Sequence, residues 1–110
     1  MTMTSSVKVN MRVCGKVHVI EVDSTPDGEF RVKAETECDH VKEFVKMVDP
    51  LSIADLTDKS VSKVWESVKI ARMSATCLVP AAIMNAAWME AGLLSKNLAK
   101  NAGSNSVDFS

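Results

Sequence analysis

The stretch FRVKAETECDHVKEFVKMV, residues 30–48, decides the fold, because its apolar period changes halfway along. Phe30, Val32 and Ala34 alternate with polar residues, the period of two of a half-buried strand. Past Cys38 the spacing becomes i, i+3, i+4, i+7, with Val41, Phe44, Val45 and Val48 on one helical stripe. The spacing predicts a strand over about 29–37 and a helix over about 39–48. Thr36 is placed to cap that helix, with the Asp39 carboxylate in its first turn. Asp49-Pro50 ends it, since the residue before a proline is pushed out of helical conformation.

Working back toward the N-terminus, Val7, Val9, Met11 and Val13 share one parity, as in another half-buried strand. Gly15 can take positive φ, so Val13-Cys14-Gly15-Lys16 reads as a tight hairpin turn. In the following strand, residues 16–23, Val17, Val19, Ile20 and Val22 occupy both parities, the pattern of a central or bulged strand. Ser24-Thr25-Pro26-Asp27-Gly28 is a turn and returns the chain to the opening stretch.

Working forward, residues 51–56 suit a short helical turn. Asp58 or Ser60 is placed to cap a second helix, with Val61, Val64, Trp65 and Val68 on one stripe. Residues 73–79 look irregular. Pro80 fits the first position of a further helix over about 80–94, which the pattern extends to about Ala102 before Gly103 stops it. That helix is apolar nearly all round, as expected of a core element or a subunit interface. Within it Glu90 is assigned to a wet edge, while Trp65 and Trp88 are assigned to the core. Val107 and Phe109 alternate and suit a last edge strand. The whole reads as one α+β domain over 1–110. Its antiparallel sheet has three strands, or four if the C-terminal segment pairs, packed against three to four helices. Residues 1–6 are expected to be disordered, and 103–110 to be a tail or that edge strand.

The 110 residues suffice for one core, with 46% hydrophobic and 25% charged residues and a net charge of −1. No basic stripe is present, so nucleic acid is not an expected partner. The longest apolar stretch, residues 78–94, contains Pro80, Asn85 and Glu90 and is shorter than the roughly 20 residues of a membrane span. The first six residues lack the apolar segment of a signal peptide, so a cytoplasmic setting is expected. There thiols stay reduced, and cysteines more often serve metal, redox or catalytic chemistry than structural disulfides.

Three cysteines, Cys14, Cys38 and Cys77, each fall at a junction: a turn, a strand-to-helix boundary and the approach to Pro80. The hairpins bring two of them together. Strand one delivers Cys14 to one end of the sheet, strand two leaves that end, and strand three returns with Cys38. This reasoning does not place Cys77. Cys38 and Cys77 precede helix starts, where unpaired N–H groups stabilise a thiolate and lower its pKa. Free cysteine also packs well in ordinary cores, and no C-x-x-C pair is present. Read as ligands, the three thiolates suit an iron–sulfur cluster with one open position, or zinc with His40 or His18 as fourth ligand. His40 also suits a solvated or capping role, and His18, mid-strand, a structural one. No glycine-rich phosphate loop, nucleophile elbow or H-E-x-x-H occurs.

The combination of Cys14-Gly15, Thr36-Glu37-Cys38 and Ala75-Thr76-Cys77-Leu78-Val79-Pro80-Ala81-Ala82 resembles a family of small uncharacterised proteins from methane-producing archaea and related anaerobes. Their pattern is Cys-Gly, a cysteine at a strand-to-helix junction, and Cys-x-Val-Pro before an Ala-rich helix ending near Glu-Ala-Gly-Leu, here Glu90-Ala91-Gly92-Leu93. The chain departs from it at Leu78, where proline is expected, and at Lys16, where an apolar residue is usual. The resemblance covers about residues 9–94. It implies that the three cysteines belong together in an anaerobic setting. The leading expectation is a non-enzymatic protein binding a metal ion or iron–sulfur cluster through Cys14, Cys38 and Cys77. The alternatives are an adaptor that dimerises through the Ala/Met-rich helix, and a thiol redox or thiol-transfer enzyme using Cys38.

Overall fold

Alternation in the first third of the chain produces two consecutive hairpins. The computed structural model describes residues 4–110, with strands β1 (Thr4–Met11), β2 (Lys16–Ser24) and β3 (Phe30–Glu35) in the antiparallel order β1-β2-β3. Met11 pairs with Lys16 at one end of the first hairpin, and Gly15 closes its turn at φ 70°, a conformation that favours glycine. The second register runs from Ser24 opposite Phe30 to Val19 opposite Glu35. Thr4–Ser6 begin β1, and Ser5 is buried, so the disorder expected over 1–6 does not apply to residues 4–6. Residues 1–3 lie outside the described residues.

One face of the sheet carries the core. It presents Val9 from β1, Ile20 and Val22 from β2, and Phe30 and Val32 from β3. The other face carries Lys8, Asn10, Val17, Arg31 and Lys33, all exposed. Sequence parity alone left β2 ambiguous; helices cover only the even-numbered side, so Val17 faces solvent and His18 is buried.

Helix α1 (Asp39–Val48) buries the expected stripe, Val41, Phe44, Val45 and Val48, against β3 and against α3. Helices α2 (Ile53–Thr57) and α3 (Lys63–Val68) follow. Ser52 and Asp55 form a reciprocal capping box on α2, and Asp55 Oδ1 also accepts the Lys63 N–H at 2.8 Å, which ties α2 to the start of α3. Ser62, rather than Asp58 or Ser60, holds the cap position of α3, and Val61 is exposed. Trp65 and Trp88, assigned to the core from their stripes, are 36% and 38% exposed. The Trp88 indole keeps a polar tie, donating to the Leu56 carbonyl at 2.9 Å.

Helix α4 (Val79–Glu90) lies across β1 and β2, burying Val79, Pro80, Ile83, Ala86 and Ala87. It does not run on to Ala102. Gly92 takes φ 78°, its N–H donates to the Met89 carbonyl, and the Leu93 N–H donates to the Trp88 carbonyl at 2.9 Å. That paired closure uses up the end carbonyls and stops the helix. Ser95 then caps a separate α5 (Lys96–Ala102), giving five helices where three to four were expected. Residues 103–110 form no strand, and Val107 and Phe109 are exposed. No helix among the described residues is long and apolar enough to cross a membrane.

Candidate functional site

The three cysteines are held by three different local devices. Cys14 is exposed in the β1–β2 turn, its thiol directed at the Met11 carbonyl 3.7 Å away. Cys38 is the residue preceding α1, extended at φ −85°, ψ 115°, and half-buried against the core. Its carbonyl accepts the first helical hydrogen bond, from the Lys42 N–H at 3.0 Å. Thr36 does not cap the helix directly. Its hydroxyl oxygen instead accepts the Cys38 N–H at 3.0 Å. Cys77 closes a turn by donating its N–H to the Ser74 carbonyl at 3.0 Å, two residues before α4 begins, and also packs half-buried on the core.

Register carries two of these toward the same end of the sheet. β3 ends at Glu35 opposite Val19, so three residues later the chain has drawn level with Lys16, the residue that closes the Cys14 turn. Lys16, Glu37, Cys38, Asp39 and His40 accordingly line one open cleft.

Cys77 is brought to the same end by the opposite end of α4. Glu90, assigned from sequence to a wet edge, has a fully buried side chain. Its carboxylate accepts from the Ser5 hydroxyl at 2.9 Å, the Ser24 hydroxyl at 2.8 Å and the Ser24 N–H at 3.2 Å, with the Lys96 ammonium 3.5 Å away. Ser5 and Ser24 stand at the end of the sheet away from Met11 and Lys16. With its last residue anchored there, α4 must point its first residues back toward the Cys14 turn, and at about 1.5 Å per residue it covers much of that distance. The outcome is registered at the thiol itself. Burial pushes the Cys77 thiol above its ordinary value, the Val79 N–H opposes this, and the like charges of Cys14 and Cys38 reinforce it. Cys14 and Cys38 are thus within electrostatic reach of Cys77. The thiol-lowering effect expected of the helix start is outweighed at Cys77 by burial.

Proximity is not ligation. Among the described residues, no group of three or more His, Cys, Asp or Glu side chains stands ready to hold a metal ion. His40 is exposed in the first turn of α1 and borders the Cys38 cleft. His18 is 1% exposed on the core face, and its Nδ1 lies 2.6 Å from the Thr36 hydroxyl oxygen. Burial, aided by the Lys16 charge, pushes its pKa down, so the ring is neutral at pH 7.

Two of these features were legible in principle. Ser5 shares parity with Val7 and Val9, which marks it as facing the core. Glu90 lies three and four residues beyond Ala87 and Ala86, on the stripe that is buried. The Thr36 link between His18 and Cys38 carries no comparable signal, because its partners come from separate strands and junctions.

The chain belongs to a family of unknown function (DUF6951), whose model matches residues 5–102 and so takes in all three cysteines and Glu90. No curated protein and no solved structure matches it.

Proposed function

We propose that this family member binds a thiophilic metal ion or an iron–sulfur cluster through Cys14, Cys38 and Cys77, as a binding protein rather than an enzyme. One observation carries the reading: the thiols of Cys14 and Cys38, which leave two separate junctions, both add to the upward push on the thiol of Cys77. The donor chemistry fits, since thiolates select zinc and iron–sulfur clusters over hard cations. Zinc needs a fourth donor, for which His40 at the Cys38 cleft is the nearest candidate. A cluster leaves one iron open. Among the described residues no metal-holding group is preformed, so ligation requires the thiols to rearrange, and Cys14 lies on an exposed turn. Binding releases the thiol protons, and burial holds the one on Cys77 more firmly than in an ordinary thiol.

Self-association through the Ala/Met-rich helix loses support, because the face formed by Val79, Ile83, Ala86 and Ala87 already lies on the sheet. The test is anaerobic purification with iron, sulfide and zinc measured before and after reconstitution. Stoichiometric binding that falls in Cys14→Ser, Cys38→Ser and Cys77→Ser supports the reading. A wild-type protein that takes up neither zinc nor a cluster overturns it.

A further inference from the structure

The buried imidazole of His18 is a titratable group that the proposed ligation leaves unused. Histidine on a core face needs a partner for its polar nitrogen, since an unpaired buried group costs free energy. Here the partner is Thr36, 2.6 Å from Nδ1. The same hydroxyl oxygen accepts the N–H of Cys38 at 3.0 Å. A threonine hydroxyl has one proton to donate and two lone pairs. The imidazole tautomer sets which of Nδ1 and the Thr36 hydroxyl donates, and with either tautomer the oxygen keeps a lone pair for the Cys38 N–H.

We infer that His18 and Thr36 are positioning residues for the Cys38 thiol. They hold the backbone of Cys38 in the extended conformation from which its side chain leaves the helix start. Apart from the Lys42 N–H on its carbonyl, this is the local hold on the Cys38 backbone, because the helix start there has no side-chain capping hydrogen bond. Thr36 reaches two residues forward along the chain, and His18 reaches it from the neighbouring strand, so the orientation of Cys38 is tied to the sheet rather than to α1. The inference rests on Cys38 being a site residue.

The test compares Thr36→Val, which removes the hydroxyl at similar volume, with Thr36→Ser, which keeps it. Iodoacetamide labelling of the three cysteines in one molecule, followed by peptide mass spectrometry, gives the Cys38 rate relative to Cys14. Thr36→Val is expected to raise that ratio about fivefold, the factor matching the ~1 kcal/mol net worth of one hydrogen bond. Thr36→Ser is expected to restore it, a rescue that mere packing of a methyl group would not produce. A ratio within about twofold of wild type in folded Thr36→Val, set against that fivefold expectation, overturns the inference. So does failure of serine to rescue. Should Thr36→Val not fold, amide hydrogen exchange of the wild-type protein decides: a Cys38 N–H that exchanges as freely as an unbonded amide overturns it, and a protected one supports it. Neither readout needs a bound metal, so wild-type protein that binds none would overturn the ligand reading and leave this one standing.

Discussion

The two ends of α4 behave as opposites. At its C-terminal end the Glu90 carboxylate takes three hydrogen bonds and an ion pair in a fully buried setting, with Ser5, Ser24 and Lys96 supplying the donors. At its N-terminal end three thiols stand near one another with weak or no hydrogen bonds of their own, and one of them is exposed. The first end is saturated and the second is not. A buried charge is kept only when it is paired and hydrogen-bonded, so the Glu90 end has little scope for chemistry and a strong hold on geometry. The thiol end has scope for chemistry and depends on the far end for its geometry.

The largest expected effect breaks this division of labour. Glu90→Ala leaves two serine hydroxyls and the Ser24 N–H without their acceptor, and is expected to cost about 3 kcal/mol, given roughly 1–3 kcal/mol for each buried group left unpaired. Urea denaturation measures it. If α4 is aimed by Glu90, the same variant also shifts the Cys77 labelling rate at the far end of the helix; an unchanged rate in a folded variant would separate the two ends and refute the coupling.

A smaller effect is expected from pH at the thiol end. His18 titrates near 6.5 when unfolded and lower when folded, so its contribution to stability is complete above 6.5. It is lost as pH falls from 6.5 through the folded value, because the unfolded chain takes up the proton first. Asp55 acts lower still. Burial alone would raise it, but hydrogen bonds from Ser52 and the Lys63 N–H outweigh burial and hold it below 3.8, so its contribution persists above 3.8 and disappears only below. Urea midpoints at pH 8 and pH 5.5 are therefore expected to differ in the wild type and to converge in His18→Phe. A difference that survives the substitution would assign the sensitivity elsewhere.

The smallest effect sharpens the contrast from the other side. Cys77→Ser is expected to cost under about 1.5 kcal/mol, since it trades a half-buried thiol for a hydroxyl of similar shape that water can still reach. A thiol titration of wild-type protein is expected to show Cys77 ionising above 9.0. An activated Cys77, ionising below that, would contradict the balance of burial over the Val79 N–H.

The legibility of the fold followed the same line. The switch of period at Cys38, the turn at Gly15 and the stop at Asp49-Pro50 are carried by neighbouring residues, and β3 and α1 follow from them with nearly the expected bounds. Carrying Cys14 and Cys38 to the same end of the sheet needed only two hairpins and strand lengths. The indoles of Trp65 and Trp88 were misassigned because stripe position says which way a residue points but not how far the neighbouring layer extends.

What the chain determines by itself is thus the α+β architecture, since strand period, turn chemistry and helix stripes all act within a few residues. What only the tertiary structure decides is the third cysteine. Helix α4 is apolar nearly all round, so its sequence sets no direction on the sheet. That choice is made by a buried carboxylate whose partners, Ser5 and Ser24, lie 85 and 66 residues away in the chain. The physical reason is that an unpaired buried charge is too costly to tolerate, and this placement of α4 gives Glu90 its donors.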